Sequence, residues 1–164
     1  MTPVARAGGR DQFARIVVAL EQVETGGDAR ADGAMVEKAV HALLRATRRG
    51  GIVIVLSDLL DLPEDAADRI SGIAPSGRVL VVVQTLDPTE IDFPFTGTVR
   101  LRALEGGAVV ETDASTARDR YLESLETLTN RWRDAVVGRG GRFVRARSAD
   151  APVQVVREIV RAVR

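Results

Sequence analysis

An α/β fold is predicted by three features of this 164-residue sequence. Two short, wholly apolar runs are rich in β-branched residues. An amphipathic segment lies between them. Strand-like and helix-like periods then alternate through the second half of the chain. The runs are Ile52–Leu56 and Val79–Val83, and continuous apolar strands of this kind suit a parallel sheet covered on both faces.

The elements follow in order. Met1–Arg10 reads as a loose N-terminus, and residues 11–164 as one domain. Phe13, Ile16, Val17, Leu20 and Val23 recur at three and four residues, which predicts a helix over Asp11–Glu24. Thr25–Gly33 reads as a loop. Val36, Val40, Leu43, Leu44 and Thr47 mark a second helix, ending near Arg48 and Arg49 before Gly50 and Gly51. After the first apolar run, Pro63 suits the first turn of a helix reaching Ile73. A turn at Pro75–Gly77 leads into the second run, so the two runs should be adjacent parallel strands. Asp87–Gly97 reads as a proline-punctuated connection. Thr98–Ala103 and Ala108–Thr112 flank Glu105, Gly106 and Gly107 as a β-hairpin. Asp113 can cap a helix to about Val137, with Tyr121, Leu122, Leu125, Leu128, Trp132 and Val136 as its apolar stripe. Arg142–Arg147 reads as a strand, and Asp150 and Pro152 open a last helix.

Composition removes several functions. The chain has 23 basic and 23 acidic residues, a balance that argues against nucleic acid or anionic lipid as partners. With no cysteine, disulfides, thiolate catalysis and cysteine-ligated metals are excluded. His41 is the single histidine and shares the polar face of its helix with Glu37, Arg45 and Arg48, as a solvated residue would. The glycine pairs never reach a phosphate-loop spacing and read as caps and turns. No run approaches the ~20 apolar residues of a membrane span, and the N-terminus lacks the apolar core of a signal peptide. A cytoplasmic location is expected.

One local feature can carry chemistry. Ser57, Asp58 and Asp61 directly follow the first apolar run, where open parallel sheets place their ligands. A carboxylate and a hydroxyl there could hold a hard cation such as Mg²⁺. Helix capping explains the same residue types more simply.

Val55-Leu56-Ser57-Asp58-Leu59-Leu60-Asp61 resembles the strand-and-loop signature of the bacterial family called domain of unknown function fifty-eight. The stretch Leu86-Asp87-Pro88-Thr89-Glu90-Ile91-Asp92-Phe93-Pro94-Phe95-Thr96-Gly97 is similar to that family's most characteristic segment, so Asp61, Asp87, Pro88, Phe93, Pro94, Phe95 and Gly97 form a signature loop set. Val99–Glu105 and then Arg118, Tyr121 and Leu122 match in order and spacing, and the similarity runs from about Arg10 to the C-terminus.

The resemblance implies a partial von Willebrand factor A-like, Rossmann-like sheet, mostly parallel, flanked by helices and carrying an inserted β-hairpin. It also implies a non-enzymatic protein-interaction module, an adaptor for a MoxR-type AAA+ ATPase. The complete domain builds a metal site from an Asp-x-Ser-x-Ser loop, a Thr following a glycine pair, and an Asp after a later strand. Here only the last is clear, as Asp58 with Ser57. The Asp-x-Ser-x-Ser half is absent, and no Thr follows Gly26-Gly27. The implied site is degenerate, no cofactor is expected, and Mg²⁺ would require the missing loops to come from elsewhere. Without the neighbour that the family fold implies, Ile52–Leu56 is expected to be an exposed edge. It would then meet a partner, pair with a second copy as a homodimer, or mark a shortened gene product. The readings from other classes are a small metal- or phosphate-dependent enzyme using Asp58, Asp61 and Asp87, and a nonfunctional remnant.

Overall fold

The computed structural model describes residues 9–22, 34–102 and 109–163. In chain order the elements are α1 (Gly9–Glu21), α2 (Met35–Ala46), β1 (Ile52–Ser57), α3 (Ala66–Ser71), a 3₁₀ turn (Ala74–Ser76), β2 (Val79–Leu86), α4 (Pro88–Asp92), β3 (Thr98–Arg102), β4 (Val109–Asp113), α5 (Ala114–Gly138), β5 (Arg142–Arg147) and α6 (Pro152–Val163). The expected α/β class is the observed one.

The main sheet has the order β1-β2-β5 and is parallel throughout. Ile52 pairs with Val79 and Ser57 with Gln84, in the adjacent parallel arrangement that the two apolar runs predict. β3 and β4 form the separate antiparallel hairpin. Its expected turn at Glu105–Gly107 lies outside the described residues, as do residues 1–8 of the expected loose N-terminus and the whole of the expected Thr25–Gly33 loop.

Alternation along the strands divides the core in two. On one face of the sheet, Val53, Leu80, Val82, Trp132 and Val136 pack with residues of α2, α3 and α5. On the other, Val81, Val83 and Ala146 meet Val155, Ile159 and Val163 of α6. β2 is therefore buried on both sides, as a continuous apolar run requires. β1 is not: Val53 is buried, whereas Ile52, Ile54 and Leu56 are exposed.

Arg78 fixes α2 over this sheet. Its Nε donates to the Thr47 carbonyl at 2.8 Å and its Nη2 to that of Leu44 at 2.7 Å, satisfying carbonyls that a helix end leaves open.

Several expected boundaries change. Gly9 and Arg10 open α1 rather than belonging to a loose terminus, and α1 stops at Glu21 instead of Glu24. α2 stops at Ala46 because Thr47 turns extended and Arg78 takes the end of the helix, so Arg48 and Arg49 lie in the following turn. The helix expected from Pro63 is only Ala66–Ser71; Pro63 stands before its N-cap, Asp65. β2 runs three residues past Val83, because Gln84 finds buried partners and continues the ladder to β5. Among the described residues no helix is long and apolar enough to cross a membrane.

Candidate functional site

Parallel pairing brings the C-terminal ends of β1, β2 and β5 to one edge of the main sheet. Ser57 and Asp58 leave β1 there. The Ser57 Oγ accepts from the Leu59 amide at 3.0 Å, and the Asp58 Oδ1 accepts from the Leu60 amide at 3.1 Å. Both side chains thus close the turn after the strand. They do not cap α3, whose N-cap Asp65 makes no side-chain capping bond. Leu59 sits at φ 68, a left-handed conformation that costs a non-glycine residue about 1–2 kcal/mol. Its side chain is 1% exposed within the main core, and that burial holds it in the conformation.

Beneath this turn lies a buried polar pair. Thr129 Oγ1 donates to Gln84 Oε1 at 3.2 Å, and Gln84 Nε2 donates to the Asp58 carbonyl at 3.4 Å. Both side chains are buried, so each hydrogen bond offsets a desolvation cost of about 1–3 kcal/mol. A glutamine next to an apolar run was the available signal for this support, and Thr129 lies on the same face of α5 as Leu125, Trp132 and Val136.

Asp87 has a different task. Its Oδ1 accepts from the Thr89 amide at 2.9 Å and the Thr89 hydroxyl at 2.6 Å, while the Asp87 amide donates to Glu90 Oε2 at 2.7 Å. This capping box, with Pro88 in the first turn, makes α4 from what reads as an irregular connection. The other Asp87 oxygen accepts from Ser148 Oγ at 3.0 Å, tying the end of β2 to that of β5. The Thr89 hydroxyl first, then the Thr89 amide and Ser148, hold the Asp87 carboxyl below the usual carboxylate range. A depressed folded-state pKa stabilises the fold above the unfolded value and loses that contribution as pH falls through the folded one. Asp87→Ala is therefore expected to lower the melting temperature at pH 7, with the gap to the parent closing below about pH 4. Melting curves across pH 2–7 by circular dichroism, about one unit apart, check this.

The rest of the signature loop is packing. Phe93 ends α4 at φ 42 and is buried. Its ring meets Phe95 edge-on at 5.1 Å and Tyr121 at 5.2 Å. Pro94 follows it exposed, and the Gly97 carbonyl accepts from the Ala114 amide at 2.8 Å. Arg118 Nη2 donates to the Asp92 carbonyl at 3.4 Å. Phe93, Phe95, Gly97, Asp113 and Arg118 border an open recess of about 460 Å³. The loop thus clips the end of β2 to the start of α5. Asp61 is exposed in the turn leading to Pro63. Among the described residues, no three His, Cys, Asp or Glu side chains are grouped to hold a metal. His41 is exposed, 3.7 Å from Glu37.

The two edges of the main sheet differ in kind. β5 carries Arg142, Arg145 and Arg147, and charged residues discourage strand addition. β1 is Ile-Val-Ile-Val-Leu-Ser, without a charge. On α6, Val153, Val156 and Val160 are exposed, while Gln154, Glu158 and Arg161 border the recess on the β5 side.

Fold and site together define a small α/β unit with a parallel sheet, a well-braced loop edge and one unguarded apolar strand. The chain belongs to the family described as "Protein of unknown function DUF58", whose model matches residues 2–131. It is 33% identical over 109 residues to uncharacterized proteins of Mycobacterium bovis (Mb1516) and Mycobacterium tuberculosis (Rv1480), a match covering 65% of this chain and 32% of each relative. The chain therefore spans about a third of the length of those relatives. Among solved structures it is similar to the conserved hypothetical protein BatB of Bacteroides thetaiotaomicron, at TM-score 0.40 and 14% identity, covering 93% of this chain and 67% of that one. A second is an uncharacterized membrane spanning protein of Vibrio fischeri, at TM-score 0.30 and 22% identity, covering 91% and 66%.

Proposed function

We propose that this chain is a non-enzymatic protein-interaction module that binds through the β1 edge. One observation carries the reading: Ile54 and Leu56 are 47% and 67% exposed on a strand with no partner beyond β2 among the described residues. Such an edge offers unpaired backbone groups beside apolar side chains, the combination used in β-strand addition. The carboxylates that an enzyme would need are occupied locally: Asp58 closes a turn and Asp87 caps α4. The family resemblance supplies the partner class, a MoxR-type AAA+ ATPase for which the module is an adaptor.

Binding of the chain to a purified MoxR-type ATPase, measured by biolayer interferometry, tests this. Ile54→Lys is expected to abolish binding while leaving the circular dichroism spectrum intact. Binding that survives Ile54→Lys, or no binding by the parent chain, defeats the adaptor role. The metal reading has its own test. Mg²⁺ affinity follows ligand number and charge, so titration calorimetry is expected to show nothing tighter than about millimolar. Micromolar binding that is lost in Asp58→Asn would reverse that expectation.

A further inference from the structure

We propose that the flank where β5 meets α6 is a second recognition surface, and that Arg145, Arg147 and Arg157 hold an acidic segment of a partner protein there. It uses other residues than the β1 edge and does not depend on that reading.

Charge is segregated on this flank. The chain as a whole is neutral, with 23 basic and 23 acidic residues. Three open recesses, of about 350, 280 and 400 Å³, share Arg145 in their walls. Five arginines border them, against three carboxylates: Glu126, Asp150 and Glu158.

Partners divide the arginines. Arg161 pairs with Glu158 at 2.8 Å. Arg133 Nη1 donates to Asn130 Oδ1 at 2.6 Å, and its guanidinium lies 6.0 Å over the Phe143 ring. Asp150 Oδ2 accepts from the Arg147 amide at 2.7 Å and closes the turn after β5. Among the described residues, the guanidinium groups of Arg145, Arg147 and Arg157 form no ion pair, and all three residues are exposed. Guarding a strand edge accounts for a charge on β5, but Arg157 stands on a helix and guards none.

Spacing describes the occupant. A guanidinium offers a planar fork of donors that matches a carboxylate in bidentate fashion. Arg145 and Arg147 are two residues apart on one face of β5, roughly 7 Å along the strand. Alternate side chains of an extended peptide repeat at the same distance, so carboxylates at every second position meet both. Arg157 borders the α6 recess together with Arg145 and can take a third carboxylate. The interspersed acidic residues argue against phosphate polymers and anionic bilayers, which favour surfaces of one sign. No aromatic side chain borders the recesses among the described residues, so bases have nothing to stack on. The same carboxylates reject misplaced acidic groups and so fix the register of a discrete segment.

Fluorescence anisotropy of a fluorescein-labelled Glu-Ser repeat peptide, titrated with the whole chain at low salt, tests this. Saturable binding is expected, fading toward about 0.5 M salt, where screening reaches within about 4 Å. Arg145→Glu and Arg157→Glu should each weaken binding about tenfold or more, the size of one charge-assisted contact. Arg145→Lys should restore only part of it, because an ammonium keeps the charge and loses the fork. Arg48→Glu, exposed before β1 at the opposite edge, makes the same change in net charge and should bind as the parent does. Melting by circular dichroism should match the parent for each variant; Arg157, on a separate element, carries the test should Arg145→Glu fail to fold.

No binding of the peptide by the parent chain would overturn the proposal. So would binding indifferent to both Arg145→Glu and Arg157→Glu. An equal loss in Arg48→Glu would reduce the effect to net charge and remove the site. Oligodeoxythymidine of equal charge, or phosphatidylserine vesicles, bound as tightly through the same arginines would overturn the acidic segment as the occupant.

Discussion

Trp132→Ala is expected to lower the unfolding free energy by about 3–5 kcal/mol, a large part of the ~5–15 kcal/mol typical of a domain. The indole is 2% exposed and belongs to the cluster that joins Val53, Leu59, Ile70, Leu80 and Val82. It therefore bridges α5, α3, the β1 turn and the sheet, and truncation leaves a cavity among elements that cannot all close on it. Urea unfolding followed by circular dichroism measures the loss. Val137→Ala, further along α5 but 53% exposed, is the control and should change stability by less than about 0.5 kcal/mol. Equal effects of the two substitutions would mean that α5 does not pack on the sheet through this face.

Phe93→Ala is expected to cost about 3 kcal/mol, toward the lower end for a buried aromatic ring. Alanine keeps the left-handed backbone penalty and loses the packing that offsets it. The second readout is Tyr121, the single tyrosine. Burial, and then the nearby Glu90 charge, raise its phenol above the ordinary value. With the Phe93 ring gone, water reaches the phenol, so its titration should move down toward about 10. Ultraviolet titration at alkaline pH follows this one group directly. A stability loss without movement of the Tyr121 titration would separate the loop's packing from the aromatic contact.

Legibility in the sequence followed locality. The two apolar runs announced β1 and β2, and their parallel adjacency followed from the helix between them. Asp113 was readable as the cap of α5 and makes that bond to the Ser115 amide at 2.9 Å. The capping box at Asp87–Glu90 was equally readable, but two prolines in eleven residues made the segment look irregular. Boundaries set by distant residues were not readable. α2 ends where Arg78, 34 residues beyond Leu44, takes its last carbonyls. β2 continues through Gln84 because Thr129, 45 residues later, satisfies it.

The candidate surfaces divide in the same way. Ser57, Asp58 and the signature loop could be named from sequence, because side-chain type and spacing mark a strand end and a turn. Their tasks could not, since whether a carboxylate closes a turn, caps a helix or meets a cation depends on which donors folding brings within about 3 Å. Element types, the parallel pair and the apolar character of Ile52–Leu56 are properties of short-range periodicity and are set by local residue order. That α6 covers β2 and β5, and that the arginine-bearing strand and the uncharged one form opposite edges of the sheet, emerges from long-range packing. Coverage of a strand depends on where distant elements pack, and no local pattern encodes that.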